Sequence, residues 1–195
     1  MAILGLTVVA LGAGYLAWSG TSLSELVRSR WGWGLVAGVV AAGVTAPLVR
    51  RIPSRPHPVG VRLGEVLAWE GIVYGSSEAA LLATLPVLAV WQAMSDLGWT
   101  EAGWERVASG TMAIAGALLV IFVHHLGYTE FRSRAAKPKL VGALVTCGFQ
   151  ALAFLLTGSI VAPVVAHIVL HGQMILRGVQ LPPDRLRYRA PQHAT

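Results

Sequence analysis

Gly158-Ser-Ile-Val-Ala-Pro-Val-Val-Ala-His167-Ile-Val-Leu-His171 is the stretch on which the fold of this chain turns. Apart from Ser159 and the two imidazoles it is apolar, and more apolar sequence flanks it, so the expected solvent is lipid rather than water. Polar side chains are costly there and persist where they find a partner or a hydrated cavity, which makes intramembrane ionisable residues functional candidates. A spacing of four puts His167 and His171 on one face of a helix.

The rest of the chain agrees. Of its 195 residues, 55% are hydrophobic and only 12% are charged, and the mean hydropathy is +0.64; a soluble domain carries about a quarter charged residues. The formal charge of +6 does not point to nucleic acid, because the basic residues sit in short segments between apolar runs rather than along one face. Cys147 is the only cysteine and lies in an apolar run, which excludes an intrachain disulfide and a multi-cysteine metal site.

A window long enough to cross about 30 Å of hydrocarbon selects six segments, approximately 2–18, 31–49, 65–93, 107–128, 140–156 and 160–176. The predicted fold is all-α, a polytopic helical membrane bundle of about six transmembrane helices over residues 1–179, with a flexible cytoplasmic tail over 180–195. The third segment is long and carries Glu70, Gly75 and Glu78, so it is expected to tilt, kink or begin as an interfacial turn. The first lacks a basic leading region and an Ala-x-Ala signal before Ser19, and reads as a retained helix.

Lysine and arginine test that count. With a cytoplasmic N-terminus, twelve of the fifteen fall inside: Arg50, Arg51, Arg55 and Arg62, then Arg132, Arg134, Lys137 and Lys139, then Arg177, Arg185, Arg187 and Arg189. Arg28, Arg30 and Arg106 fall outside. The bias obeys the positive-inside rule and predicts both termini in the cytoplasm. Membrane lipid is thus an expected partner, and the basic runs can also attract anionic headgroups.

Topology places the polar residues in depth. Glu70 lies near the inner end of the third segment and Glu78 about 12 Å deeper. His124 and His125 come near the inner end of the fourth segment, His167 near mid-membrane and His171 one turn closer to the cytoplasm. Glu78, His125, His167 and His171 are therefore expected to line one polar cavity opening toward the cytoplasm. His124 points about 100° away from His125, and the expectation falls on His125. Glu70 reads as an interfacial residue able to pair with Arg62, Tyr74 and most of the tryptophans as interfacial belts, and Gly34-Leu-Val-Ala-Gly38 as a close helix contact.

Three motifs in this order resemble those of the CPBP (CAAX protease and bacteriocin-processing) intramembrane proteases. Gly158 to His171 resembles the third motif, a Gly-Ser…Ala-Pro…Ala-His run continuing as His-x-x-x-Asn/Asp/His. Ala117-Leu-Leu-Val-Ile-Phe-Val-His-His125-Leu-Gly is similar to the second, Phe-x-x-x-His-Leu, with Ile121 in place of Phe. Ser77-Glu78-Ala-Ala-Leu-Leu82 stands where the first, Glu-Glu-x-x-x-Arg, belongs. The resemblance covers residues 65–176. It implies an intramembrane endopeptidase in which Glu78 and His125 polarise a water while His167 and His171 stabilise the oxyanion, acting on a membrane-embedded or prenylated peptide. The plasma membrane of a bacterium is the expected location.

Two departures define the alternative. Ser77 replaces the first Glu and Leu82 the Arg, and a serine lacks a carboxylate's basicity. A non-catalytic CPBP homologue would keep the cavity as a recognition site for a membrane protein or peptide. A proton-coupled carrier with a Glu/His relay is a third class, disfavoured by the lack of an inverted repeat. The cofactor stays open between zinc and none: His-x-x-x-His with a third His and a carboxylate is a sensible tetrahedral set, although His-Glu-x-x-His is absent.

Overall fold

In hydrocarbon the backbone can bond only to itself, so an apolar chain of this kind is expected to form helices throughout. The computed structural model describes residues 2–101, 103–128, 131–132 and 137–179, and no strand occurs among them. The helices are α1 (Ala2–Ser19), α2 (Leu23–Arg28), α3 (Trp31–Arg50), α4 (Gly60–Asp96), α5 (Gly103–Leu126), α6 (Lys137–Thr157) and α7 (Val161–Leu176). Four of them, α3 to α6, are long and apolar enough to cross a membrane. The whole of α7 and, within α1, the stretch Val8–Ser19 are apolar helices of fewer than 18 residues, so among the described residues four helices, not six, have the length and composition of a span. The short α2 has no counterpart among the expected segments. The tail 180–195, with Arg185, Arg187 and Arg189, lies outside the described residues, as does Arg134.

Burial is distributed as lipid demands. On α3 the inward face is Gly34, Gly38, Ala41, Ala42, Thr45 and Ala46, while Leu35, Val36, Val39, Val40 and Val44 are exposed. Large apolar side chains point out and small ones point in, because helices in lipid associate through close backbone packing rather than by expelling water. The partner of that face is α7. A Cβ at Gly34 would lie 2.7 Å from Ser159 Oγ, and one at Gly38 would lie 2.7 Å from the Ala162 carbonyl oxygen. Ala41, Ala153, Ala162 and Ala166 continue the contact and bring in α6.

The long α4 runs unbroken over 37 residues, about 55 Å at 1.5 Å per residue and well beyond one hydrocarbon thickness. It extends past the expected 65–93 at both ends. No sharp turn interrupts it; two π-helical stretches, Leu67–Tyr74 and Ala79–Thr84, flank a short α-helical piece, Gly75–Glu78. Pro86 follows the second stretch. A proline lacks the N–H and clashes with the carbonyl four residues back, which a widened turn relieves. Thr84 Oγ1 donates to the Ala79 carbonyl at 3.2 Å inside that turn.

The remaining core is also built of small residues. Ala83 and Val87 of α4 meet Ala113 and Ala117 of α5 and Ala151 and Phe154 of α6, with Leu26 of α2 closing one end. At the other end, Arg177 donates through Nε to the Ile52 carbonyl at 2.9 Å, and Arg55 N–H donates to the Arg177 carbonyl at 2.9 Å. Gly178 makes this clasp possible. Its φ is +68°, and a Cβ there would lie 2.5 Å from the Arg55 carbonyl oxygen.

Candidate functional site

Glu78 sits between the two π-helical stretches of α4, and the side chains gathered round it come from three helices and the turn after α5. Within α4, Tyr74 stands one turn earlier and donates its hydroxyl hydrogen to Glu78 Oε1 at 2.7 Å. From α5, His124 Nε2 lies 3.2 Å from the same oxygen. From α7, His171 Nε2 lies 3.0 Å and His167 Nε2 3.7 Å from Glu78 Oε2. All except His124 are buried, and the side chain of His124 is 15% exposed. The carboxylate is therefore shared, with a phenol and an imidazole on one oxygen and two imidazoles on the other.

Supporting contacts orient the rings. His171 Nδ1 lies 2.9 Å from the Glu70 carbonyl oxygen, which can only accept, so Nδ1 carries the hydrogen. The Tyr74 ring stacks on His171 with centroids 5.6 Å apart. Gly75 lets α7 approach here: a Cβ would meet His171 Nδ1 at 3.4 Å. Just beyond α5, the Tyr128 hydroxyl lies 3.3 Å from His124 Nε2 and 3.4 Å from the Tyr74 hydroxyl. His124, Tyr128, Tyr74 and Glu78 thus form a closed polar ring.

Glu78, His167 and His171 come together as the sequence suggests. Of the two α5 histidines, His124 is the one whose ring reaches Glu78, and not His125, on which the expectation fell. His125 instead donates Nδ1–H to the Ile121 carbonyl at 2.8 Å and packs its ring edge-on against Phe131. The physical reason lies in the inward face of α5, which runs Ser109, Ala113, Ala117, Ile121. At 3.6 residues per turn its continuation falls between 124 and 125. Tyr74, assigned to an interfacial belt, and Tyr128 both join the site. Glu70 is buried and contributes its backbone carbonyl to His171.

Gln150 carries no motif and is also missed by sequence reasoning. It is buried, and neither amide atom has a hydrogen-bond partner among the described residues; the same holds for His167 Nδ1. One turn away on the same helix, Ala153 packs with Ala162 and Ala166 of α7. Below the cluster, a cavity of about 380 Å³ opens where α4 begins and α7 ends, lined by His57, Arg62, Glu70, Ile175 and Val179 among others. Glu70 is common to the cavity wall and, through its backbone carbonyl, to the support of His171; none of Glu78, His125, His167 and His171, expected to line one cavity, is among the residues lining this one.

Chemically, the arrangement can hold a water or a cation against one carboxylate inside a protein wall. Glu78, His167 and His171 each offer one ligand atom, all within 4.8 Å of one another. No protein-family model, curated protein or solved structure matches this chain. Function has to be argued from the cluster itself.

Proposed function

We propose that this protein is an intramembrane endopeptidase of CPBP type, with Glu78 at its reaction centre. The observation that carries the proposal is the convergence of His124, His167 and His171 on one buried carboxylate, a placement costly in lipid and therefore suited to function. Glu78 and His124 polarise the attacking water, His124 standing in the role that the motif gives to His125. His167 and His171, facing the other carboxylate oxygen, stabilise charge on the carbonyl oxygen of the scissile bond. The substrate class is a membrane-associated or prenylated peptide, which enters by the cavity beside Glu70.

The same proposal takes α1 and α7 as crossings too, giving six spans with both termini in the cytoplasm and twelve of fifteen Lys and Arg residues inside. The cavity then faces the cytoplasm. Labelling of a cysteine placed at Arg55 only from the cytoplasmic side supports this orientation, and labelling only from outside overturns it. For the activity, reconstituted protein should cleave a membrane-anchored peptide, and His124→Ala should slow the cleavage about 10²-fold or more.

A second reading, a non-catalytic CPBP homologue that binds a membrane protein or peptide, is favoured by two observations. Ser77, in the place of the motif's first Glu, bonds its hydroxyl to the Val73 carbonyl of its own helix at 2.9 Å. Leu82, in the place of the Arg, is buried with Ile121 and Cys147. Proteolysis gained by Ser77→Glu with Leu82→Arg, in a chain that otherwise lacks it, would favour this reading.

A further inference from the structure

We propose that the cavity where α4 begins and α7 ends binds the headgroup of an anionic phospholipid, with its phosphate against His57 and Arg62. The charge of the opening is the first reason. His57 and Arg62 line the cavity and are exposed, whereas Glu70, the acid in its wall, is 6% exposed and presents little to the opening. Over residues 50–66 four arginines are set against one further acid, Glu65, besides the histidine. His57 commits Nδ1–H to the Pro58 carbonyl at 2.8 Å, which leaves Nε2 for a ligand, as a donor in the charged ring. Hydrogen bonds from guanidinium and imidazolium groups to phosphate are of the strong, charge-assisted kind.

Depth points to a lipid rather than to a soluble anion. Glu78 stands midway along α4, Gly60–Asp96. With that middle at the centre of the bilayer, Glu70 falls about 12 Å from the centre and Arg62 about 24 Å, at 1.5 Å per residue. The hydrocarbon ends about 15 Å from the centre and the headgroup region about 20–22 Å from it. The cavity between the two residues therefore spans the headgroup layer. Val59, in its wall, and Val61 beside it are 72% and 82% exposed, a surface suited to lipid rather than to water.

The polarity of the walls runs the way an amphiphile requires. His57 and Arg62 mark the outer end, and Val66 and Ile175 lie deeper, where the glycerol backbone and first acyl carbons can pack. A volume of about 380 Å³ is that of a small-molecule site, room for a headgroup whose acyl chains stay in the bilayer. The wall is also held in advance. Arg177 Nε bonds the Ile52 carbonyl, Arg55 N–H bonds the Arg177 carbonyl, and Gly178 lines the cavity at this clasp. A site fixed before binding loses less freedom when the ligand arrives.

The inference does not need the endopeptidase reading, and it is tested by binding rather than by cleavage. The full chain in neutral detergent is titrated with dioctanoyl-phosphatidylglycerol, and thermal unfolding reports the binding. The expected result is a saturable rise of the midpoint, absent with dioctanoyl-phosphatidylcholine and requiring at least tenfold more inorganic phosphate. Arg62→Gln combined with His57→Gln is expected to weaken phosphatidylglycerol binding at least tenfold. Arg28→Gln, at the opposite end of the bundle, and a tail variant with Arg185→Gln, Arg187→Gln and Arg189→Gln are expected to keep it within twofold. The comparison of lipids on the wild-type chain does not need any variant to fold. An equal rise with phosphatidylcholine, inorganic phosphate binding as tightly as the lipid, full binding by the double variant, or loss of binding in the tail variant overturns the assignment. Peptide cleavage without lipid binding overturns it while leaving the protease reading intact; lipid binding without cleavage supports it while counting against that reading.

Discussion

Tyr74 gives its hydroxyl hydrogen to Glu78 Oε1 at 2.7 Å while its ring stacks on His171, so one side chain braces both the carboxylate and an imidazole of the cluster. The two residues stand four apart, astride the junction between the first π-helical stretch and the α-helical piece that carries Glu78. Tyr74→Phe keeps the stack and removes the hydrogen bond. A hydrogen bond to a charged group contributes about 1.5–3 kcal/mol, and the variant is expected to lose stability of that order. Thermal unfolding in detergent measures it, and an unchanged midpoint would show that the bond does not brace the site.

The close contact between α3 and α7 holds the two site histidines in place from behind. Gly38→Ala pushes a methyl group to 2.7 Å from the Ala162 carbonyl oxygen, and overpacking of that kind costs about 1–3 kcal/mol. Gly43→Ala, on the same helix with nothing within 4 Å of the new carbon, is expected to be neutral or to gain up to about 1 kcal/mol through helix propensity. Unfolding curves of the two variants should therefore shift in opposite directions or by clearly unequal amounts.

His124 and His125 are neighbours with different duties. His124→Ala removes an imidazole bonded to Glu78 and to Tyr128, whereas His125→Ala removes a ring tied to its own helix at Ile121. Peptide cleavage is expected to fall about 10²-fold or more in the first variant, in the range of a lost acid–base group, and by much less in the second. The reverse order would return the catalytic role to His125.

Residue type and spacing carry much of this site into the sequence. Ionisable groups in apolar helices are conspicuous, and the four-residue step from His167 to His171 needs only the period of a helix to put both rings on one face. Glu78 is legible for the same reason. The choice between His124 and His125 is not, because adjacent residues differ by about 100° and an inward face built on steps of four drifts across that gap within a few turns. The two π-helical stretches of α4 leave no mark in hydropathy, although Pro86 gives a cause for the second. Gln150 is hidden because a lone glutamine in an apolar helix has no motif, and only its burial in the folded chain reveals it. The membrane character follows from composition; the number of crossings does not, since α7, the helix that carries both histidines, is also shorter than a typical span.

The most direct measurement is the rate at which purified, reconstituted protein cleaves a membrane-anchored peptide, compared with its Glu78→Gln variant. The substitution keeps the size of the side chain and removes the charge on which His124, His167 and His171 converge. Cleavage by the wild-type chain with a loss of about 10²–10⁴-fold in the variant is the expected result. Equal cleavage by both proteins would contradict the placement of Glu78 at the reaction centre.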